Sequence, residues 1–255
     1  MAGASWFWTV TSALSGKKYR STRTPLPLSP SDRRVLGAGL INSEQIMAYA
    51  DDLGTGLPRE RIAFGLTSAW SISSRAGALE TLDWLRDEGD RRLFDIVFPV
   101  FERIPKEARA AALVDALHAD RDYELRGVLV DDIRKGTDMM SAIDETYRTL
   151  SDSVNGAYLP THYAQGILAW DIGRLVTLAR LCCDAGLIDV PERAYYLRSA
   201  ERMLTARYSS WRDFARSYVL GRAAKQGRTA TLDGIISIAE SAMRDKRSPW
   251  RLYPL

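Results

Sequence analysis

Apolar side chains recur every three to four positions along most of this 255-residue chain. Between Arg75 and Glu88, for example, Ala76, Leu79, Leu82 and Leu85 fall on one side of a helix, which can bury that side against a neighbour. The sequence shows no useful run with the period of two that a half-buried strand requires. The pattern therefore predicts an all-α fold, an irregular multi-helix bundle with an extended N-terminal arm.

Helix start and stop signals divide the chain into a series of predicted helices. Pro191 suits a first helical position, and Gly89, Gly136 and Gly186 are predicted to end helices. Pro99 is expected to bend or end its helix, because proline has no backbone N–H. The predicted helices cover residues 32–40, 43–53 (capped by Ser43), 75–88, 93–104, 106–119, 123–135, 139–150, 166–185 and 192–207, then one capped by Ser209 or Ser210 that reaches Ala224 and one capped by Thr231 that ends near Arg244.

The two ends of the chain are predicted to differ from the bundle. Residues 1–30 have aromatic residues at one end and three prolines near the other, which favours an extended arm that is laid over the domain or partly disordered. Residues 31–255 are predicted to form a single helical domain, since a chain of this length can bury a core without metals or disulfides. Turn-forming residues place any internal boundary near residues 152–164. The tail around Trp250 is predicted to dock back onto the bundle.

Cysteine usage and the order of the N-terminal residues predict a cytoplasmic protein. Cys182 and Cys183 point about 100° apart on a helix, so we expect reduced thiols. The Trp6-Phe7-Trp8 run precedes the basic residues, the reverse of an export signal. No stretch approaches about 20 uninterrupted apolar residues, so no transmembrane segment is predicted. The basic residues before position 35 lack an amphipathic period, and no nucleic-acid partner is predicted.

The C-terminal half contains two tryptophan motifs on predicted helices. They are Trp170-Asp171-x-x-Arg174 and the segment Tyr208–Phe214, and Tyr218–Arg222 follows the second. With residues 65–70 and 78–89 upstream, these motifs resemble the bacterial family called domain of unknown function 1266, over roughly residues 60–253. That family has no established activity, so the resemblance implies a helical fold and candidate positions rather than a function.

Two positions depart from that family's pattern. Asp90 stands where a histidine is common after the glycine, and Lys225 stands where an aromatic residue is common after Gly-Arg. A role that needs this histidine would therefore not apply to this chain.

Helical spacing brings several polar and aromatic residues of the motifs together. Asp171 and Arg174 are three apart and can pair on one helix face, and Asp213 lies in a predicted first turn, where the helix dipole stabilises a carboxylate. Such groups either form a buried structural network or line a pocket for a ligand or partner. The candidate contacts are Trp84, Trp170, Asp171, Arg174, Tyr208, Trp211, Asp213 and Arg222.

The sequence does not identify catalytic residues, and neither a metal nor a cofactor is predicted. His118 and His162 are the only histidines, and a metal site would need carboxylates to complete it. Adjacent carboxylates such as Asp131 and Asp132 diverge on a helix, and most such pairs are solvated.

Two functions are compatible with these observations. The first is a protein-binding or regulatory module with a protein partner, of an immunity or antitoxin type, in which the aromatic arm holds the partner or joins two copies into a homo-oligomer. The alternative is an enzyme that acts on an anionic or nucleotide-like small molecule through Asp171, Arg174, Asp213 and Arg222. The alternative predicts that these four side chains line one pocket.

Overall fold

The computed structural model describes residues 18–24, 27–150, 157–158, 166–227 and 229–255, and within them the secondary structure is helical without strands. The prediction of an all-α fold is therefore confirmed. The helices are α1 (Pro30–Ala38), α2 (Leu40–Ile46), α3 (Arg59–Trp70), α4 (Arg75–Asp87), α5 (Arg91–Arg103), α6 (Arg109–Ala119), α7 (Arg121–Arg126), α8 (Val130–Leu150), α9 (Leu168–Asp184), α10 (Val190–Arg207), α11 (Trp211–Gln226), α12 (Ala230–Arg244) and α13 (Pro249–Leu252), with a short 3-10 turn at Lys106–Ala108.

Helix α9 lies at the centre of the described structure. It packs against α1, α2, α3, α4, α10 and α11, and nearly every residue from Ala169 to Cys182 is buried. A helix that is apolar on most sides has to be covered on most sides, which explains the number of its neighbours. Gly186 follows it with a φ of +75°, so the predicted stop at this glycine is confirmed.

Buried apolar residues form two clusters on either side of α11. The larger cluster is centred on α9 and includes residues of α10 and α12, and the smaller one is built mainly from α5, α6 and α8. Phe214 and Tyr218 of α11 belong to the larger cluster, whereas Leu220 and Ala224 belong to the smaller. Helix α11 packs against both α8 and α9 and therefore connects the two clusters.

Two predicted helix signals were wrong because the residues have tertiary roles. Ser43 does not cap a helix: it lies inside α2, fully buried, and its Oγ accepts a hydrogen bond from Arg180. Gly136 does not end a helix but lies within α8. A Cβ at this glycine would lie 2.8 Å from Leu113 Cδ2, so the residue permits α6 to approach closely.

Other helix boundaries also differ from the prediction. Helix α3 was missed because only Ile62 and Leu66 on it are buried, which leaves a weak apolar stripe. Pro99 does not end its helix, because α5 continues to Arg103, and the alternative of a bend stays a prediction. The cap of α12 is Thr229, two residues before the predicted Thr231.

Residues 18–24 lie along α2 and the loop that follows it. The Tyr19 N–H donates to Glu44 Oε1 at 2.9 Å, and the Arg20 guanidinium donates to the Met47 carbonyl and lies 4.4 Å from the Tyr49 ring centroid. This part of the predicted arm is laid over the bundle. The rest of the arm up to residue 17, and most of the proposed boundary at 152–164, lie outside the described residues.

The C-terminal tail docks as the sequence predicted. The Trp250 ring stacks on Trp211 with centroids 5.2 Å apart, and its Nε1 donates to the Gly37 carbonyl at 2.7 Å. The Trp211 indole donates in turn to the Tyr253 carbonyl. Among the described residues, no helix has the length and apolarity that crossing a bilayer requires.

Candidate functional site

Asp171, in the first turn of α9, holds the N-terminus of another helix. Its buried carboxylate accepts the backbone N–H groups of Asp90 and Arg91 at 3.1 Å each, and it pairs with Arg91 Nη1 at 3.0 Å and with Arg174. Gly89 allows this approach, because its φ is +61° and a Cβ there would lie 2.2 Å from the carboxylate. The side chain of Asp171, on α9, therefore caps the N-terminus of α5.

Arg174 lies between carboxylates and tryptophans. Its Nη1 is 3.0 Å from Asp90 Oδ2, while Nη2 donates to the carboxylate on the preceding helical turn. The guanidinium carbon lies 4.7 Å from the ring centroid of Trp170, 5.7 Å from that of Trp84 and 5.8 Å from that of Trp70. Three tryptophans around a cation form an aromatic cage. This cage is filled by the protein's own arginine.

Asp90 joins α5 to α9 and α11. Its Oδ2 accepts from the Trp170 indole at 3.1 Å, and its Oδ1 pairs with Lys225 Nζ at 3.1 Å. Burial tends to raise the pKa of Asp90, but Arg174, Lys225 and the indole N–H together lower it below its usual range. The two residues that depart from the family pattern are thus ion-pair partners of each other.

The pKa of Asp171 shifts in the opposite direction to that of Asp90, because Asp171 is more deeply buried. Burial and the nearby Asp90 raise the pKa of Asp171, whereas Arg174 and Arg91 oppose that rise. The cluster therefore contains two carboxylates and three cationic partners, Arg91, Arg174 and Lys225. It carries an excess of positive charge when both carboxylates are ionised.

A cavity of about 450 Å³ opens beside this cluster. Three basic side chains and three tryptophans line it, and none of the described residues on its wall is an aspartate, glutamate, histidine or cysteine. The lining residues are Asn42, Gln45, Ala69, Trp70, Ser71, Thr81, Trp84, Trp170, Arg174, Thr177, Leu178, Leu181, Arg222, Lys225, Gln226, Thr231 and Ile235.

Arg222 is the unusual residue of this wall. It is 5% exposed, and its Nη2 donates weakly to Thr229 Oγ1 at 3.3 Å. Its Nη1 is buried with no hydrogen-bond partner among the described residues, and no carboxylate among them pairs with it. Burial lowers the pKa of this guanidinium. A Cβ at Gly221 would lie 2.3 Å from Trp170 Cβ, so α11 can approach α9 this closely only because residue 221 is glycine. This close approach places Arg222 at the cavity.

Two of the predicted contacts have structural roles outside the cavity. The Tyr208 hydroxyl accepts from the Ala169 N–H at the start of α9 and shares a hydrogen bond with Ser217 Oγ. Burial raises the pKa of Tyr208 to about 12. Asp213 accepts from Ser210 Oγ at 2.7 Å and donates its N–H to the same oxygen, which closes the first turn of α11.

The eight predicted residues thus divide into two groups. Five lie in or directly behind the cavity wall, namely Trp84, Trp170, Asp171, Arg174 and Arg222. The other three, Tyr208, Trp211 and Asp213, are placed at helix ends and in the aromatic stack of the tail. The sequence hypothesis grouped Asp213 with Arg222, but the two residues are not brought together.

Several residues of the site were missed or given no role at the sequence level. Trp70 lies within a motif, and Asp90 and Lys225 each follow one, so the sequence contains some indication of these three positions. Arg91 carried none, because its role depends on how α5 docks. Arg180 was also missed: it is fully buried near the C-terminal end of α9 and donates to four oxygens of residues 43–54.

Comparison with known proteins identifies a family for the chain but no activity or ligand. No curated protein and no solved structure matches the chain significantly. A family model described as a protein of unknown function (DUF1266) matches residues 65–255, which include α4, α5, α9, α11 and therefore most of the cavity wall. On the strength of that match, which covers most of its length, the chain belongs to the DUF1266 family.

Proposed function

We propose that this protein binds a small anionic ligand in the cavity between α9, α11 and α12. The observation that carries the proposal is Arg222, a buried guanidinium with no acidic partner among the described residues. A buried charge without a partner costs several kcal/mol in general, so proteins rarely retain one without a compensating role. An anion that enters the cavity would supply the missing partner.

The rest of the wall suits a planar or apolar body attached to the anion. Trp70, Trp84 and Trp170 are all partly exposed, and Leu178 and Ile235 add apolar surface. The cavity volume lies at the small end of the range of about 300–1,000 Å³ for small-molecule sites. Because the aromatic cage already holds Arg174, a cationic ligand gains nothing there.

The wall favours binding over catalysis. The described lining offers hydrogen-bond donors and apolar contacts but no side chain that usually serves as a general acid or base near neutral pH, such as histidine, aspartate or glutamate. The enzyme alternative from the sequence, which placed Asp171 at the substrate, is therefore less well supported than a ligand-binding role, since that carboxylate already accepts from four donors.

Calorimetry with a matched set of small aromatic compounds tests the proposal. Benzoate and phenyl phosphate are the anionic probes, and benzamide is a neutral control of the same shape. We expect at least one anion to bind and benzamide not to bind. The Arg222→Met variant should bind at least ten-fold more weakly, and the Arg198→Met variant, which changes an exposed arginine on α10, should bind like the wild type. Equal binding by Arg222→Met, or no binding of either anion at millimolar concentration, would contradict the proposal.

The protein-binding or regulatory role predicted from the sequence stays a second candidate, including its immunity or antitoxin type. The aromatic residues on which it rested lie outside the described residues. A separate observation favours it: Leu125, Leu129 and Val130 are 76, 56 and 84% exposed around the turn at Gly127. If these side chains contact a second copy, sedimentation velocity should detect a dimer that Leu129→Glu dissociates. A wild type that sediments as a monomer even at high protein concentration would exclude that partner.

A further inference from the structure

The first turn of α12 lies at the same end of the cavity as Arg222. Thr229 caps this 15-residue helix, with its Oγ1 accepting the Leu232 N–H. Thr231 and Ile235, one turn apart on α12, both line the cavity. The first N–H groups of a helix have no acceptor within the helix, and they carry the positive end of its dipole. The start of α12 is therefore a donor surface for an anion.

Arg222 connects to this helix end directly. Its Nη2 donates to Thr229 Oγ1, the cap itself. Its Nη1 has no hydrogen-bond partner among the described residues, and Arg222 is only 5% exposed. Lys225, three residues later on α11, lines the same wall. Asp233, the acid of this first turn, is about 200° around the helix from Thr231 and is not on the cavity wall.

The number of donors distinguishes between kinds of anion. A carboxylate carries one charge and two oxygens, which a single guanidinium can satisfy in bidentate fashion. A phosphate monoester carries nearly two charges at pH 7 and has three free oxygens, so it can accept from a guanidinium and a helix N-terminus together. The combination of Arg222, Lys225 and the first turn of α12 matches the second case.

We infer that the ligand is a phosphate monoester whose phosphoryl group lies between Arg222 and the first turn of α12, with its organic part directed toward the tryptophans. This inference rests on the proposed function, since it specifies the anion that the cavity takes.

One backbone substitution separates this inference from simple anion binding. Ala230→Pro removes an N–H from the first helical position, where proline is well tolerated because no helix hydrogen bond is lost. The preceding Thr229 has φ −140° and ψ 164°, the extended conformation that a following proline requires. The variant should therefore keep the helix and its thermal midpoint while losing one donor to the phosphoryl group.

The experiment measures affinities of phenyl phosphate and benzoate for the wild type, Ala230→Pro and Arg222→Met by calorimetry at pH 7.5. We expect phenyl phosphate to bind at least ten-fold more tightly than benzoate. Ala230→Pro should weaken phenyl phosphate three-fold or more and leave benzoate unchanged, and Arg222→Met should weaken both. Ribose 5-phosphate and inorganic phosphate, used as further probes, show how much of the affinity comes from the phosphoryl group alone.

The outcomes distinguish the two proposals. If benzoate binds as tightly as phenyl phosphate, or if Ala230→Pro leaves phenyl phosphate binding unchanged while Arg222→Met weakens it, the phosphate assignment is wrong but anion binding stands. If Arg222→Met has no effect on either probe, both proposals are wrong.

Discussion

Two buried arginines on adjacent helices should respond in opposite ways to the same substitution. Arg180 is fully buried in α9, where Nη1 donates to Ser43 Oγ at 2.9 Å and Nη2 reaches the carbonyls of Tyr49, Asp52 and Gly54 at 2.6, 2.9 and 2.9 Å. Burial lowers its pKa to about 10. Replacing it with methionine removes the charge but leaves three carbonyl oxygens and a hydroxyl in a dry environment.

The size of the effect follows from those four lost partners. Each buried polar group left without a partner costs about 1–3 kcal/mol. Removal of the buried charge also removes its desolvation penalty, which offsets part of the total cost. We expect Arg180→Met to lower the free energy of unfolding by about 3–5 kcal/mol, which for a chain of this size corresponds to a fall of about 10 °C in Tm.

Arg222→Met should instead leave stability unchanged or raise it by about 1 kcal/mol, because within the described part of the chain Arg222 has one weak hydrogen bond and its Nη1 has no partner. Urea unfolding followed by circular dichroism measures both variants, and the exposed Arg198→Met serves as a reference within about 0.5 kcal/mol of the wild type. A loss of more than about 2 kcal/mol in Arg222→Met would refute the reasoning, since it would make Arg222 a structural residue like Arg180.

Four further substitutions test the remaining contacts. Asp171→Asn should lower the free energy of unfolding by about 3–5 kcal/mol in urea titrations, because it removes the charge that pairs with Arg91 and Arg174 in a buried cluster. Asp213→Asn, in the partly buried first turn of α11, should lower it by about 1 kcal/mol. Trp250→Ala should lose about 3–5 kcal/mol in the same assay, because the tail stack is removed. For Asp245, hydrogen bonds from Arg247 lower the pKa to about 2; its contribution to stability is present above the unfolded value of about 3.9 and is lost as the pH falls toward 2. An NMR titration should find a midpoint near 2 that Arg247→Gln raises.

Much of the helical architecture could be predicted from local patterns. Ser210 caps α11, and Gly89 and Gly186 end helices with positive φ, because these signals act between residues only a few positions apart. Where a residue serves a distant partner, the same rules failed. Ser43 resembles a cap by type but binds Arg180, which is 137 residues away in sequence.

The amino-acid sequence by itself determined most of the helices, several of their ends and the presence of charged and aromatic residues in the motifs, since these depend on spacing within a few turns. Only the tertiary structure decided which charges are paired. Asp90 contacts Trp170 and Lys225, which are 80 and 135 residues away in sequence, whereas Arg222 has no acidic partner among the residues that the structure describes. Charge compensation depends on distances across packed helices, and helical periodicity contains no information about those distances.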